Sequence, residues 1–254
     1  MLSDMKGMLT SDTHAGFSKR TIEVHEGEFL PLAQKTIEEQ KIEVFFHAGD
    51  WASNKQDQLY RTLKLFRKYI SIPIVTVFGN HDFWEYDRFR RLRGGWEAEQ
   101  RRRLEWCKEF NIHYLGEGPA VFGDVLVLGF DGWYNYTNPP TKDTDSDLMH
   151  PYIQSAPSMV YLQNRAYKEL DKLLQHDTDA YRKVIGMSHF PPFTEDSKYE
   201  VFCANLKYFQ PLKEKCDVLL FGHSHKEVDR VEDDCHILNC GSHYDKPKFK
   251  IFEV

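Results

Sequence analysis

The chain has 254 residues and a formal net charge of −6, from 33 Lys and Arg against 39 Asp and Glu. Hydrophobic residues make up 41% and aromatic residues 14% of the sequence, a composition that excludes an intrinsically disordered chain. The negative charge excludes a uniformly basic surface for nucleic acid, although it leaves room for a local basic patch. Because no linker or internal repeat divides the chain, we expect a single domain over residues 1–254.

The cysteines and the hydropathy pattern indicate the cellular compartment of the protein. Five cysteines form no C-x-x-C pair and are odd in number, which is typical of a reducing compartment. No stretch reaches the roughly 20 apolar residues of a membrane-spanning helix, and the N-terminus lacks an apolar leader. We therefore expect a cytoplasmic protein that does not associate with membranes.

Short apolar runs alternate with helix-like stretches along the chain. The runs are β-branched or aromatic, which predicts strands that are buried on both faces. Since the first half reads β-α-β-α-β, we expect an α/β fold with parallel strands and outer helices. The predicted strands are 6–10, 42–46, 74–78, 125–130, 184–187, 218–221, 236–239 and 249–254, and the predicted helices are 29–40, 56–69, 96–110 and 160–174. Segments near 83–110 and 133–158 do not fit the alternation, and we interpret them as insertions.

Polar side chains of similar type follow five of the predicted strands. In open α/β sheets, ligands bind beyond the carboxyl ends of the strands, so these side chains should converge. Imidazoles with carboxylates and one amide oxygen suit divalent ions such as Mn, Fe, Zn, Ni or Co. Seven ligands exceed the needs of one ion but fit two ions that share a carboxylate. The candidate metal ligands are Asp12, His14, Asp50, Asn80, His189, His223 and His225.

The order of these residues resembles the signature of the calcineurin-like metallophosphoesterase superfamily. That signature consists of Asp-x-His, Gly-Asp, Gly-Asn-His-Glu/Asp, a lone His and Gly-His-x-His. The corresponding blocks here are Asp12-x-His14, Gly49-Asp50, Gly79-Asn80-His81-Asp82, His189 and Gly222-His223-x-His225. The resemblance implies a four-layer αββα sandwich with central mixed β-sheets.

The resemblance also implies roles for the residues in these blocks. Asp12, His14 and His225 would hold the first ion, Asn80, His189 and His223 the second, and Asp50 would bridge the two. His81 would lie outside the metal shell and protonate the leaving group, and Asp82 would orient its imidazole. The implied activity is cleavage of a phosphoester by metal-bound hydroxide, with manganese as our first choice of metal and a phosphodiester as the expected substrate.

One departure from the pattern of the phosphoprotein phosphatases bears on which branch of the superfamily the chain resembles. Phosphoprotein phosphatases of this superfamily carry an arginine soon after the Gly-Asp block and another after Asn-His. Here those positions continue as Trp51-Ala52-Ser53-Asn54 and Phe83-Trp84-Glu85-Tyr86. The resemblance therefore favours the bacterial and phage-type phosphoesterases over Ser/Thr protein phosphatases.

Two other functions stay open at this point. Residues 88–108 hold eight basic side chains against three acidic ones, a net charge of +5, which suits a nuclease that binds DNA or RNA. The simpler interpretation of this stretch is a solvated helix face with i,i+4 ion pairs. A non-catalytic scaffold that kept the fold is the third hypothesis, although every motif position is filled. The sequence also places His47 and His243 near the expected site, and it leaves the oligomeric state open.

Overall fold

The computed structural model describes residues 4–16, 18–52, 57–83, 95–133, 156–191 and 206–254. Within these ranges the strands form a five-stranded sheet in the order β11-β1-β2-β3-β4 and a six-stranded sheet in the order β5-β6-β7-β8-β10-β9. The strands are β1 (Lys6–Thr10), β2 (Val44–Ala48), β3 (Ile74–Val77), β4 (Ile112–Tyr114), β5 (Ala120–Phe122), β6 (Val125–Phe130), β7 (Lys183–Ser188), β8 (Val218–Leu220), β9 (Glu227–Glu232), β10 (Cys235–Cys240) and β11 (Lys250–Glu253).

Both sheets are mixed, with parallel strands at their centres. Strands β1 to β4 pair in parallel, and β11 pairs with β1 in the antiparallel sense. Strands β6, β7, β8 and β10 are likewise parallel, and β5 and β9 add antiparallel edges. Because neighbouring parallel strands end at the same edge, each sheet presents its strand-end loops together.

Alternating side chains on the central strands bury both faces of each sheet. In β1, Met8 belongs to the core beneath the helices, whereas its neighbour Leu9 belongs to the core between the sheets. In β2, Phe45 likewise belongs to the core beneath the helices and Phe46 to the core between the sheets. The core between the sheets also contains Ile185 of β7, so the two sheets pack face to face.

The helices cover the outer faces of the two sheets. Helices α2, α3 and α4 pack in sequence along the five-stranded sheet, and α5 and α6 pack on β6 and β7 of the other sheet. This arrangement confirms the predicted α/β fold class, a four-layer αββα sandwich with mixed sheets. The helices are α1 (Lys19–Val24), α2 (Leu30–Gln40), α3 (Gln58–Tyr69), α4 (Gly95–Glu109), α5 (Ala156–Leu174) and α6 (Leu206–Lys215).

The strands that the sequence patterns did not predict are short or polar, and the unpredicted helix α6 contains Pro211 in its interior. Strands β4 and β5 have three residues each, too few to show a period. Strand β9 carries charged side chains at an edge of its sheet, which protects the edge but hides the strand from a hydropathy pattern. No helix within the described ranges is long and apolar enough to cross a membrane.

The two expected insertions are described only in part. Residues 95–109 of the first form α4, which packs on β4 as part of the outer layer. Residues 84–94, and residues 134–155 of the second segment, lie outside the described ranges.

Candidate metal centre

The seven predicted ligands follow the carboxyl ends of five strands from both sheets. Asp12 and His14 follow β1, Asp50 follows β2, Asn80 follows β3, His189 follows β7, and His223 and His225 follow β8. Hydrogen bonds join the two sheets at this edge. The backbone N–H of His223 donates to Asp12 Oδ1 at 2.8 Å, and His189 Nδ1 lies 2.8 Å from the carbonyl oxygen of Ala48.

The first group of ligand atoms comes from Asp12, His14 and His225. Their ligand atoms all lie within 4.8 Å of one another. His225 Nε2 lies 3.6 Å from Asp12 Oδ1. Asp12 and His14 are fully buried, while the His225 side chain keeps 21% of its surface exposed. The first group therefore opens to solvent on the side of His225.

The second group comes from Asp50, His189 and His223, whose ligand atoms also lie within 4.8 Å of one another. Asp50 Oδ2 lies 3.4 Å from His189 Nε2 and 3.6 Å from His14 Nε2. Asp50 thus stands between a histidine of each group, which is the position that a shared carboxylate would need.

The environment of His189 supports a cation at the second group. A carbonyl oxygen accepts hydrogen bonds only, so the contact with Ala48 requires the proton on Nδ1 of His189. Its Nε2 then faces two oxygens, Asn80 Oδ1 at 3.1 Å and Asp50 Oδ2 at 3.4 Å. A positive charge between these atoms, either a proton or a metal ion, would satisfy all three. In the ion-free protein it is the proton: burial opposes the charge, but the Asp50 carboxylate raises the pKa of His189 to about 9.

Burial holds two other histidines neutral, His14 of the first group and His223 of the second. Burial lowers the pKa of His14 and of His223 well below the usual value. A histidine binds a metal ion through an unprotonated ring nitrogen, so these two rings are in the form that coordination requires. The donor set therefore fits divalent ions.

Five of the seven predicted ligands have left-handed backbone conformations. The φ angles are 50° for Asp12, 43° for His14, 56° for Asp50, 64° for His223 and 53° for His225. Within the described ranges, ten non-glycine residues have positive φ, and half of them are these ligands. Such conformations cost on the order of 1–3 kcal/mol each and cluster at functional sites. The strained backbone conformations of these loops thus direct the five side chains toward the same site.

Glycine is needed beside two of the ligands because their loops approach closely. A Cβ atom on Gly79 would overlap Asp50 Oδ1. Gly49 has φ +84°, and a Cβ there would lie 2.6 Å from His189 Nδ1. The glycines of the Gly-Asp and Gly-Asn-His blocks therefore admit the ligands of the neighbouring loops.

The carboxylate of Asp82 binds backbone amides of two loops. It accepts hydrogen bonds from the N–H groups of Asp50 at 2.9 Å, Gly79 at 2.9 Å and Ala52 at 3.2 Å. Asp82 is buried, so these bonds fix the loop after β2 against the loop after β3. The predicted role of Asp82 in orienting the His81 imidazole stays a prediction.

His81, the predicted acid, lies beside the first group and is half-buried. Its ring centroid is 4.4 Å from that of His14, and its backbone N–H donates to Asp50 Oδ1 at 2.9 Å. The ligand atoms of His14, Asp50 and His81 lie within 4.8 Å of one another, so His81 adjoins both groups.

One arginine of the basic stretch 88–108 is buried and binds the loop that follows β3. Arg103 is 1% exposed and donates to the carbonyl oxygen of Asp82 from Nε at 3.0 Å and from Nη2 at 2.5 Å. Its guanidinium also lies 4.6 Å from the centroid of the Phe83 ring. In contrast, Arg101 is exposed. The expectation of a solvated helix face therefore fails at Arg103, because this arginine supports the loop that carries Asn80 and His81.

A buried aromatic pair supports the loop after β1. His47 stacks on Trp51 at a centroid distance of 3.5 Å, and His47 Nε2 lies 3.1 Å from the hydroxyl oxygen of Thr13. Thr13 lies between Asp12 and His14, and its hydroxyl also donates to the carbonyl oxygen of Trp51 at 3.1 Å. His47 thus contacts the site loop without joining either ligand group.

Asp131, which no sequence motif indicated, connects the loops of both sheets. Its carboxylate accepts hydrogen bonds from the N–H of Phe78 at 2.8 Å and the hydroxyl of Tyr114 at 2.6 Å. Its carbonyl oxygen accepts from the N–H of His189 at 3.2 Å. Asp131 therefore links the loop that leads to Asn80 with the loop of His189.

The aromatic residues near the site divide into buried and accessible ones. Phe83 and Trp133 are each 4% exposed and belong to the core, so packing accounts for both. Tyr244 was not predicted, and it is half-buried with its ring 4.3 Å from that of His14. His243, which the sequence placed near the site, is exposed with its ring 5.1 Å from that of His225.

Solved structures with the same fold include a hydrolase and a phosphatase. Phosphopantetheinyl hydrolase from Mycobacterium tuberculosis is 13% identical with a TM-score of 0.66, covering 96% of this chain and 91% of its own. A dimetal phosphatase from Danio rerio is 12% identical with a TM-score of 0.61, covering 100% of this chain and 93% of its own. At such identities the likeness shows the fold alone, and a comparison with curated proteins found no match.

The family model described as calcineurin-like phosphoesterase matches residues 5–227 of the chain. The matched range spans every block of the signature, from Asp12 to His225. Members of this family are in general metal-dependent hydrolases of phosphoesters. The chain therefore belongs to the calcineurin-like phosphoesterase family.

Proposed function

We propose that the protein is a dinuclear metal-dependent phosphohydrolase whose substrate is a phosphodiester. The observation that carries the proposal is the pair of ligand groups on either side of Asp50. Asp12, His14 and His225 would hold one divalent ion, and His189, His223 and Asn80 the other. Manganese is the first choice, with iron, zinc, nickel and cobalt as alternatives.

Two bound divalent ions would acidify a water molecule and neutralise the charge of the phosphoryl oxygens. The protein supplies the rest of the chemistry. His81 is half-buried beside His14, where its imidazole can donate a proton to a leaving oxygen near neutral pH. The backbone bond from its N–H to Asp50 Oδ1 holds His81 at a fixed distance from the shared carboxylate.

Metal binding is the first test. Titration of the metal-free protein with Mn²⁺ should show two ions per chain, and Asp50→Asn should lose at least one of them. Asp217→Asn is a matched control, because Asp217 accepts a backbone hydrogen bond from Val184 at the opposite end of β7. Full metal content in Asp50→Asn would contradict the shared role of Asp50.

The second test concerns the leaving group. His81→Ala should hydrolyse an unactivated diester roughly 10²–10⁴-fold more slowly, the usual contribution of a general acid, and should lose far less on a nitrophenyl ester. His113→Ala is the control, since His113 is exposed on the outer strand β4. Equal rates for wild type and His81→Ala on the unactivated diester would refute the acid role. Two bound ions without turnover of any mono- or diester would favour the scaffold hypothesis.

A nuclease is the second candidate, because Arg101 is exposed on the helix that supports the Asp82 loop. Arg101→Ala combined with Arg102→Ala should then weaken binding to single-stranded DNA or RNA and flatten its salt dependence. Lys35→Ala on α2, also an exposed cation, is the control. A flat salt response in the wild type would exclude this candidate.

A further inference from the structure

The segment 242–248, between β10 and β11, forms a turn that is fixed at both ends. The hydroxyl of Ser242 accepts from the N–H of Lys248 at 2.9 Å and donates to its carbonyl oxygen at 3.1 Å. Thr10, at the end of β1, donates to the same oxygen at 2.7 Å. Inside the turn, the backbones of His243 and Lys246 exchange two hydrogen bonds.

This turn holds Tyr244 against the first ligand group. The Tyr244 ring stacks on His14 at a centroid distance of 4.3 Å and an interplanar angle of 25°. Its centroid is also 5.4 Å from that of His225 and 6.3 Å from that of His81. One tyrosine thus contacts the proposed ligand His14 and adjoins the proposed acid.

We propose that Tyr244 is a positioning residue, which holds the imidazole of His14 in the orientation that binds the first metal ion. The inference rests on the proposed metal site. His81 packs edge-on against His14 at a centroid distance of 4.4 Å and an angle of 79°, while Tyr244 lies nearly parallel to the ring. Two rings of different orientation therefore restrict the rotation of His14 about its side-chain bonds.

An imidazole whose rotation is already restricted binds a metal ion more tightly, because the side chain loses less rotational freedom when the ion binds. The His14 side chain is fully buried, so its orientation is set by the rings that pack against it. Prior ordering of one such side chain raises the affinity for the ion by roughly 2- to 10-fold. The stack needs the ring and not the hydroxyl, so Tyr244→Phe should behave like the wild type.

The experiment compares two variants of the full chain by calorimetric titration of the metal-free proteins with Mn²⁺. We expect Tyr244→Phe to match the wild type and Tyr244→Leu to bind one of the two ions roughly 2- to 10-fold more weakly. Tyr161→Leu is the control, because Tyr161 is half-exposed on the outer helix α5. Thermal unfolding of the metal-free variants separates a binding defect from a folding defect.

Three outcomes would overturn the inference. Binding of two ions by the wild type, with equal affinity in Tyr244→Leu, would show that the stack does not position His14 and would contradict the inference alone. Unchanged metal affinity with a raised KM in Tyr244→Leu would show that the ring contacts the substrate instead. Absence of Mn²⁺ binding to the wild type would refute the metal site, and with it both the proposed function and this inference.

Discussion

Replacement of Asp82 by alanine should destabilise the protein and weaken metal binding together. The Asp82 carboxylate accepts three backbone hydrogen bonds, from Asp50, Ala52 and Gly79, and it is 1% exposed. Each buried N–H group that loses its acceptor costs about 1–3 kcal/mol, so three such groups give a loss of at least about 3 kcal/mol. Because all three amides belong to the loops that carry Asp50 and Asn80, the second ion should bind more weakly as well.

The assay is urea denaturation of the metal-free protein, followed by Mn²⁺ titration of the folded variant. Asp82→Asn keeps one oxygen acceptor, so its loss of unfolding free energy should lie between those of the wild type and Asp82→Ala. Asp217→Ala is the control, because its carboxylate accepts one backbone hydrogen bond, from Val184 at 2.8 Å, beside a partly exposed ion pair with Lys183, far from the loops of the site. We expect the control to lose less stability and to keep both ions.

The reasoning would be refuted by an Asp82→Ala variant that loses less than about 1 kcal/mol and binds both ions as tightly as the wild type. If such a variant also hydrolysed an unactivated diester slowly, the carboxylate would act on the His81 imidazole and not on the loops. Support of the loops by Asp82 would thus change stability and metal affinity, whereas an effect on the His81 imidazole would change the rate of hydrolysis.

Three further substitutions test the surroundings of the site. Gly79→Ala should abolish binding of at least one Mn²⁺ ion, because the added Cβ overlaps Asp50 Oδ1, whereas Gly27→Ala, with no atom within 4 Å of its Cβ, should bind normally in the same titration. Burial, together with a neighbouring carboxylate, raises the pKa of Glu169 from 4.5 to about 7. The folded state therefore holds a proton that the unfolded chain releases, and wild-type stability should fall as pH rises from about 4.5 to 7, while Glu169→Gln should show a flatter profile in urea denaturation. Trp51→Phe should lose about 1–3 kcal/mol of unfolding free energy in the same assay, because its buried Nε1–H donates to a threonine hydroxyl at 2.8 Å.

The fold class and the ligand blocks could be predicted from the sequence because they depend on local patterns. Strands buried on both faces are continuously apolar, so β1, β2, β3, β6, β7 and β8 stand out along the chain. Polar residues that follow such strands lie at one edge when the strands are parallel. The seven predicted ligands therefore needed no contact information, and the structure brings them together, Asn80 through its contact with His189.

The sequence patterns did not show how other residues support these ligands. Arg103 resembles its basic neighbours on α4, yet it is buried against the carbonyl oxygen of Asp82. Asp131 belongs to no motif. Its carboxylate and its backbone carbonyl oxygen each accept a hydrogen bond, from Phe78 and His189, and so join the loops of different sheets. Such roles depend on which loops meet after the sheets have packed.

The sequence by itself determined which chemical groups lie at the carboxyl edge, since strand hydropathy and residue type are properties of short segments. Only the tertiary structure decided that Tyr244, near the C-terminal end of the described chain, stacks on His14, near its beginning. The physical reason is that β11 pairs with β1 beside the turn that carries Tyr244, and this pairing joins segments that no local pattern connects.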